Sequence, residues 1–75
     1  MKRAGEVVRT AQGLAVVRSP NGTTPDLGTE LVDQDLDTVG RVVDVFGPVE
    51  RPYLAVSSSD GVVPAALLGE KLYAR

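Results

Sequence analysis

Four aspartates stand near one another in this chain. Asp33, Asp35 and Asp37 alternate with Gln34 and Leu36, and Asp44 follows at a distance of one strand. Carboxylates can do acid–base work when two are held at a fixed separation in a partly dry pocket that drives their pKa values apart. A polar turn is a poor place for that, so the first three read as a solvated acidic face. Asp44 alternates with apolar residues and suits an acceptor for backbone N–H groups near the Phe46-Gly47 turn. The Asp-x-Asp-x-Asp spacing opens like a calcium loop. However, Val39 stands where further ligands should begin and no closing glutamate follows, so no metal is expected.

The remaining polar candidates are weaker. Ser57, Ser58 and Ser59 have no histidine anywhere in the chain to activate them, and no Gly-x-Ser-x-Gly elbow frames them. Asn21-Gly22-Thr23 fits a glycosylation acceptor, but without a secretory signal it reads as a turn. The chain has no cysteine either, which removes disulfides and thiolate metal sites. No glycine pattern matches a phosphate-binding loop. The residues therefore point away from an enzyme, a cofactor or a small-molecule substrate.

At 75 residues the chain is expected to form a single domain over residues 1–75. Domains of this size bury only about 60% of their unfolded surface, so a closed barrel or a partner's surface is a usual remedy. A formal net charge of −2 argues against a free-standing nucleic-acid binder, which normally shows a basic face. Arg3, Arg9, Arg18, Arg41, Arg51 and Arg75 are scattered along the sequence. No apolar stretch approaches the roughly 20 residues of a membrane span and no signal peptide opens the chain, so a cytoplasmic protein is expected.

The elements that must position these residues are strands. Glu6–Thr10 and Gly13–Arg18 read as a hairpin about Ala11-Gln12, with apolar residues on both faces of the second run. Ser19–Gly28, rich in Pro, Gly, Thr and Asn, is a loop. Thr29–Val32 is a short strand before the acidic turn, and Thr38–Phe46 is the longest strand, with its inward face left open by periodicity and a bulge conceivable at Gly40. Tyr53–Val56 returns, Ser57–Gly61 is a polar loop, and Pro64–Leu68 is a helical turn or an irregular crossing. Lys71–Ala74 closes the chain. Short strands divided by turn residues and lacking a helical period predict a small all-β barrel.

The densest signal lies between Val39 and Val56, where β-branched residues are interrupted by Phe46-Gly47-Pro48 and resume after Arg51-Pro52. Gly47 can take backbone angles closed to other residues, while Pro48 has a fixed φ and no N–H for a ladder. Prolines so placed mark a corner or a sheet edge. Phe46 then either caps the core or stands exposed on a stiff bend. Gly40, Val42, Asp44, Phe46, Gly47, Pro48, Val49, Pro52 and Tyr53 together resemble the GAR-type small non-catalytic subunit of box H/ACA ribonucleoproteins. The opening Met1–Val8 and the late Gly69–Tyr73 look like that family's first and last strands. Lacking Gly/Arg-rich flanks, the chain looks like a compact archaeal-type core.

The resemblance implies a closed six-stranded barrel that docks on the catalytic subunit of the pseudouridine synthase. It further implies support for substrate loading and product release, with RNA contacted only indirectly through the complex. Phe46, Gly47, Pro48, Val49, Pro52 and Tyr53 are the residues expected to meet the partner. The alternative is a barrel that binds RNA or the ribosome directly, which requires Arg3, Arg9, Arg18 and Arg41 to converge in space.

Overall fold

In the computed structural model, which describes residues 2–75, six strands follow one another along the chain: β1 (Lys2–Ala11), β2 (Leu14–Arg18), β3 (Glu30–Val32), β4 (Thr38–Phe46), β5 (Tyr53–Ser58) and β6 (Lys71–Ala74). They close into an antiparallel barrel in the order β1-β2-β5-β4-β3-β6. Closure gives every strand two neighbours and so limits the open sheet edge that is the usual weakness of a small all-β protein. Among the described residues no helix is long and apolar enough to cross a membrane.

β1 and β4, the two long strands, each serve two neighbours and each carry two register shifts. In β1 these fall between Arg3 and Gly5 and between Val7 and Arg9. On β4 they fall opposite Leu31–Val32 and between Val42 and Asp44. A bulge bends its strand and sharpens the local twist, which is what a six-stranded ribbon needs to curl into a barrel. The β4 shifts also settle its facing. Val39 and Val42 both enter the core, whereas Phe46 pairs with Tyr53 on the outer face.

The core is built from Ala4, Val7, Ala15, Val17, Leu31, Val39, Val42, Leu54, Val56, Leu67 and Leu72, all nearly or fully buried. Leu67 comes from a 3₁₀ turn at Pro64–Leu67, which decides between the helical turn and the irregular crossing. The chain then rejoins the barrel through the Gly69 N–H donating to the Val7 carbonyl and the Val7 N–H donating to that of Glu70, both at 2.9 Å.

Three local expectations are corrected. The hairpin turn is Gln12-Gly13, with Ala11 paired to Leu14; φ is positive at both turn residues (53° and 77°), as a tight type I′ turn demands. β1 starts at Lys2 and not at Glu6, because its first half pairs with β6. Ser57 and Ser58 lie in β5, paired with Arg41 and Gly40, so the polar loop is shorter than its composition implies. Ladder partners, invisible to local composition, extend both strands.

Candidate functional site

Phe46 is the last residue of β4 and Tyr53 the first of β5, directly opposite in register. Their rings stack with centroids 5.6 Å apart and planes at 23°, within the range of a favourable aromatic pair. The guanidinium carbon of Arg9, from β1, lies 5.7 Å from the centre of the Tyr53 ring, close enough for a cation–π contact. Phe46 is 38% exposed and absent from the core, so the exposed reading of the bend holds and the core-capping one does not.

Between the two rings the chain makes a turn, closed by the Arg51 N–H donating to the Pro48 carbonyl at 3.2 Å. Val49 rides at its tip, 85% exposed. Gly47 has φ +91°, and a Cβ there would lie 2.8 Å from Cδ2 of Tyr53. Both its backbone angle and the close approach of the ring exclude a side chain. Pro52 is buried, and its carbonyl accepts the Ser19 N–H at 2.9 Å. It therefore holds the corner from behind, whereas Phe46, Val49 and Tyr53 present apolar surface.

The loop from Ser19 to Gly28 braces this corner. Ser19 is fully buried, its hydroxyl donating to the Asn21 carbonyl at 2.6 Å. Its own carbonyl accepts the Arg51 Nε–H at 3.0 Å. Gly22 lies so near the Val49 carbonyl that an added Cβ would stand 2.9 Å from it. Asn21 Oδ1 accepts the Thr23 N–H at 2.9 Å, the turn expected for that triplet.

Beside the aromatic pair, register places Val16 and Ala55 opposite each other on the outer face, with Asp44 opposite Ala55. Both apolar residues are buried, at 3% and 7% exposure, yet neither joins the contiguous cluster that fills the barrel. They floor a shallow groove of about 320 Å³ rimmed by Arg9, Leu14, Asp44 and Phe46. Sequence reasoning saw apolar residues on both faces of β2 but missed Val16, Ala55 and Arg9 as neighbours of the corner. The cross-strand register that joins them is not a local property.

Asp44 is exposed, and its Oδ1 accepts the Val45 N–H at 2.8 Å, a backbone bond at the bulge and not at the turn. The carboxylates of Asp33, Asp35 and Asp37 do meet, with one oxygen from each within 4.8 Å of the others. Asp33 Oδ1, however, accepts the N–H groups of Asp35 (2.9 Å) and Asp37 (3.1 Å), so it staples the turn. Asp35 and Asp37 face solvent. Ser57, Ser58 and Ser59 line a polar groove of about 420 Å³ with Glu30, Arg41 and Asp60. The four arginines of the direct RNA-binding alternative do not share a face. Arg3 and Arg18 meet with Arg51, Arg9 lies over Tyr53, and Arg41 lines the serine groove.

The fold is thus a closed antiparallel barrel with a braced aromatic corner on its outer face. The family model for the Gar1/Naf1 RNA binding region matches residues 1–75, so the chain belongs to that family. It is 31% identical to an uncharacterized protein of Methanothermobacter thermautotrophicus over 97% of this chain and 82% of that one. It is also 26% identical to the H/ACA ribonucleoprotein complex subunit GAR1 of Chaetomium globosum, over 92% of this chain and 33% of that longer protein.

Proposed function

We propose that this protein is the non-catalytic small subunit of an H/ACA ribonucleoprotein, and that the Phe46–Tyr53 corner docks on the catalytic subunit of its pseudouridine synthase. Family membership and the similarity to a GAR1 subunit support the assembly. The observation that carries the docking surface is the stacked Phe46–Tyr53 pair beside the exposed Val49, on a turn stiffened by Pro48 and Pro52. Apolar anchors already fixed before binding lose little conformational entropy, and central ones contribute about 2 kcal/mol or more each. In this reading the subunit acts on substrate loading and product release while the chemistry belongs to the synthase.

Binding between the purified protein and the synthase, measured by calorimetry, tests the proposal. Val49→Asp places a charge on an 85% exposed side chain. It is expected to leave the thermal transition nearly unchanged and to weaken synthase binding at least tenfold, about 1.4 kcal/mol. Full-strength binding by a folded Val49→Asp variant and a folded Phe46→Ala variant would place the interface elsewhere on the barrel. Purified alone, the chain is expected to modify no RNA; reproducible pseudouridine formation without the synthase would sink the non-catalytic assignment.

A further inference from the structure

We propose that Asn21-Gly22 is a site of self-modification, at which the fold promotes conversion of Asn21 to aspartate and isoaspartate. Asn21 is the only asparagine of the chain, and a glycine follows it. Asn21, Gly22 and Thr23 are all exposed. The Gly22 nitrogen attacks the side-chain carbonyl carbon of Asn21 and closes a succinimide ring. A C–N bond forms there, and the side-chain nitrogen leaves as ammonia, taking up the proton that Gly22 gives. Water then opens the ring at either carbonyl, yielding aspartate or isoaspartate. Glycine favours the attack because it has no Cβ to crowd its nitrogen.

Two hydrogen bonds are aimed at the charges that this reaction develops. The buried Ser19 hydroxyl donates to the main-chain carbonyl of Asn21 at 2.6 Å. That oxygen shares the negative charge once the Gly22 nitrogen loses its proton, so the bond stabilises the nucleophile. The Thr23 N–H donates to Asn21 Oδ1 at 2.9 Å. Oδ1 becomes the oxyanion as the side-chain carbonyl is attacked, and a donor already aimed there stabilises it. The Asn21 N–H also donates to Ser19 Oγ, at 3.4 Å, so the attacked residue is held on a buried anchor. Among the described residues the Gly22 N–H donates no hydrogen bond, which leaves its proton open to base. Fixing both reacting groups on one braced loop lowers the entropic cost of closing the ring.

The site also has a consequence for docking, and this part alone rests on the role proposed for the corner. Isoaspartate moves a methylene from the side chain into the main chain, and both products add a negative charge. Gly22 already lies so near the Val49 carbonyl that a Cβ would stand 2.9 Å from it. Just before Asn21, the Ser19 carbonyl accepts the Arg51 Nε–H at 3.0 Å. A main chain lengthened between these two contacts shifts the turn that carries Val49. The converted chain therefore binds the synthase more weakly than the fresh one.

Incubating the isolated chain at mildly alkaline pH, with mass spectrometry of the tryptic peptide from Ser19 to Arg41, follows the reaction. A free peptide of that same sequence is the reference, and chromatography separates its aspartate and isoaspartate forms. The folded chain should convert at least about fivefold faster than the peptide. Ser19→Ala should slow the folded chain about fivefold, about 1 kcal/mol for one hydrogen bond. Conversion in the folded chain at or below the peptide's rate overturns the proposal, because the loop then protects Asn21. A folded Ser19→Ala variant that converts as fast as the parent overturns it too. For the consequence, the converted chain is isolated by ion exchange and titrated with synthase beside Val49→Asp. Weakened binding by both is expected. Full binding by the converted chain, with Val49→Asp weakened, breaks the link between conversion and docking. Full binding by Val49→Asp is a failure of the docking reading instead, and the peptide comparison still decides the modification.

Discussion

Gly47 concentrates two constraints in one residue, a left-handed φ of +91° and a Tyr53 ring where a side chain would begin. Gly47→Ala is expected to destabilise the barrel by about 1–2 kcal/mol, the scale of one strained backbone position, read by thermal or urea unfolding. Tyr53 differs from Val49 because it is half-buried and touches both Phe46 and Arg9. Tyr53→Ala should therefore lower stability by about 1–2 kcal/mol as well as weaken binding, since an aromatic pair and a cation–π contact are each worth about 0.5–1.5 kcal/mol. Phe46→Ala, on the outer face, should keep the barrel folded. Loss of the folded state in that variant would show that Phe46 supports the core after all.

At the scale of elements, the β1–β2 hairpin is the simplest place to gain stability. Gln12 holds φ +53° in a two-residue turn that favours Asn or Gly at its first position. Gln12→Asn is expected to raise stability by about 0.5–1 kcal/mol, visible as a higher midpoint in urea with an unchanged slope. The loop from Ser19 to Gly28 works as a second element of the corner. Gly22→Ala should push it off the Val49 carbonyl and disturb the turn from behind. A parallel loss of synthase affinity in that variant, with the core still protected from hydrogen exchange, would show that the loop positions the docking turn.

For the whole molecule, closure and a small core must carry most of the stability. A domain of this size has an expected unfolding free energy near 5 kcal/mol, the lower end of the usual range. Leu54 is fully buried in that core, and Leu54→Ala should cost about 2–5 kcal/mol, enough to unfold much of the population at ambient temperature. A partner that binds only the folded barrel adds about 2.7 kcal/mol at a hundredfold excess over its dissociation constant. Saturating synthase is therefore expected to refold a large share of Leu54→Ala, as followed by circular dichroism.

Much of this protein was written locally. Pro, Gly and Asn clusters between β-branched runs located the six strands, and Phe46-Gly47-Pro48 with Pro52 announced a stiff corner, because turn chemistry acts over a few residues. The absence of histidine and cysteine was plain from composition. Only the closed sheet decided what crosses between strands. Bulges in β1 and β4 chose which side chains face inward, an outcome that a one-residue shift reverses and that periodicity cannot supply. The same register set Arg9 over Tyr53 and Val16 beside Ala55. It also gathered Arg3, Arg18 and Arg51 into one groove, although they lie up to 48 positions apart in a chain that looks evenly charged. Local preference specifies where the backbone turns, whereas long-range pairing specifies which surfaces those turns create.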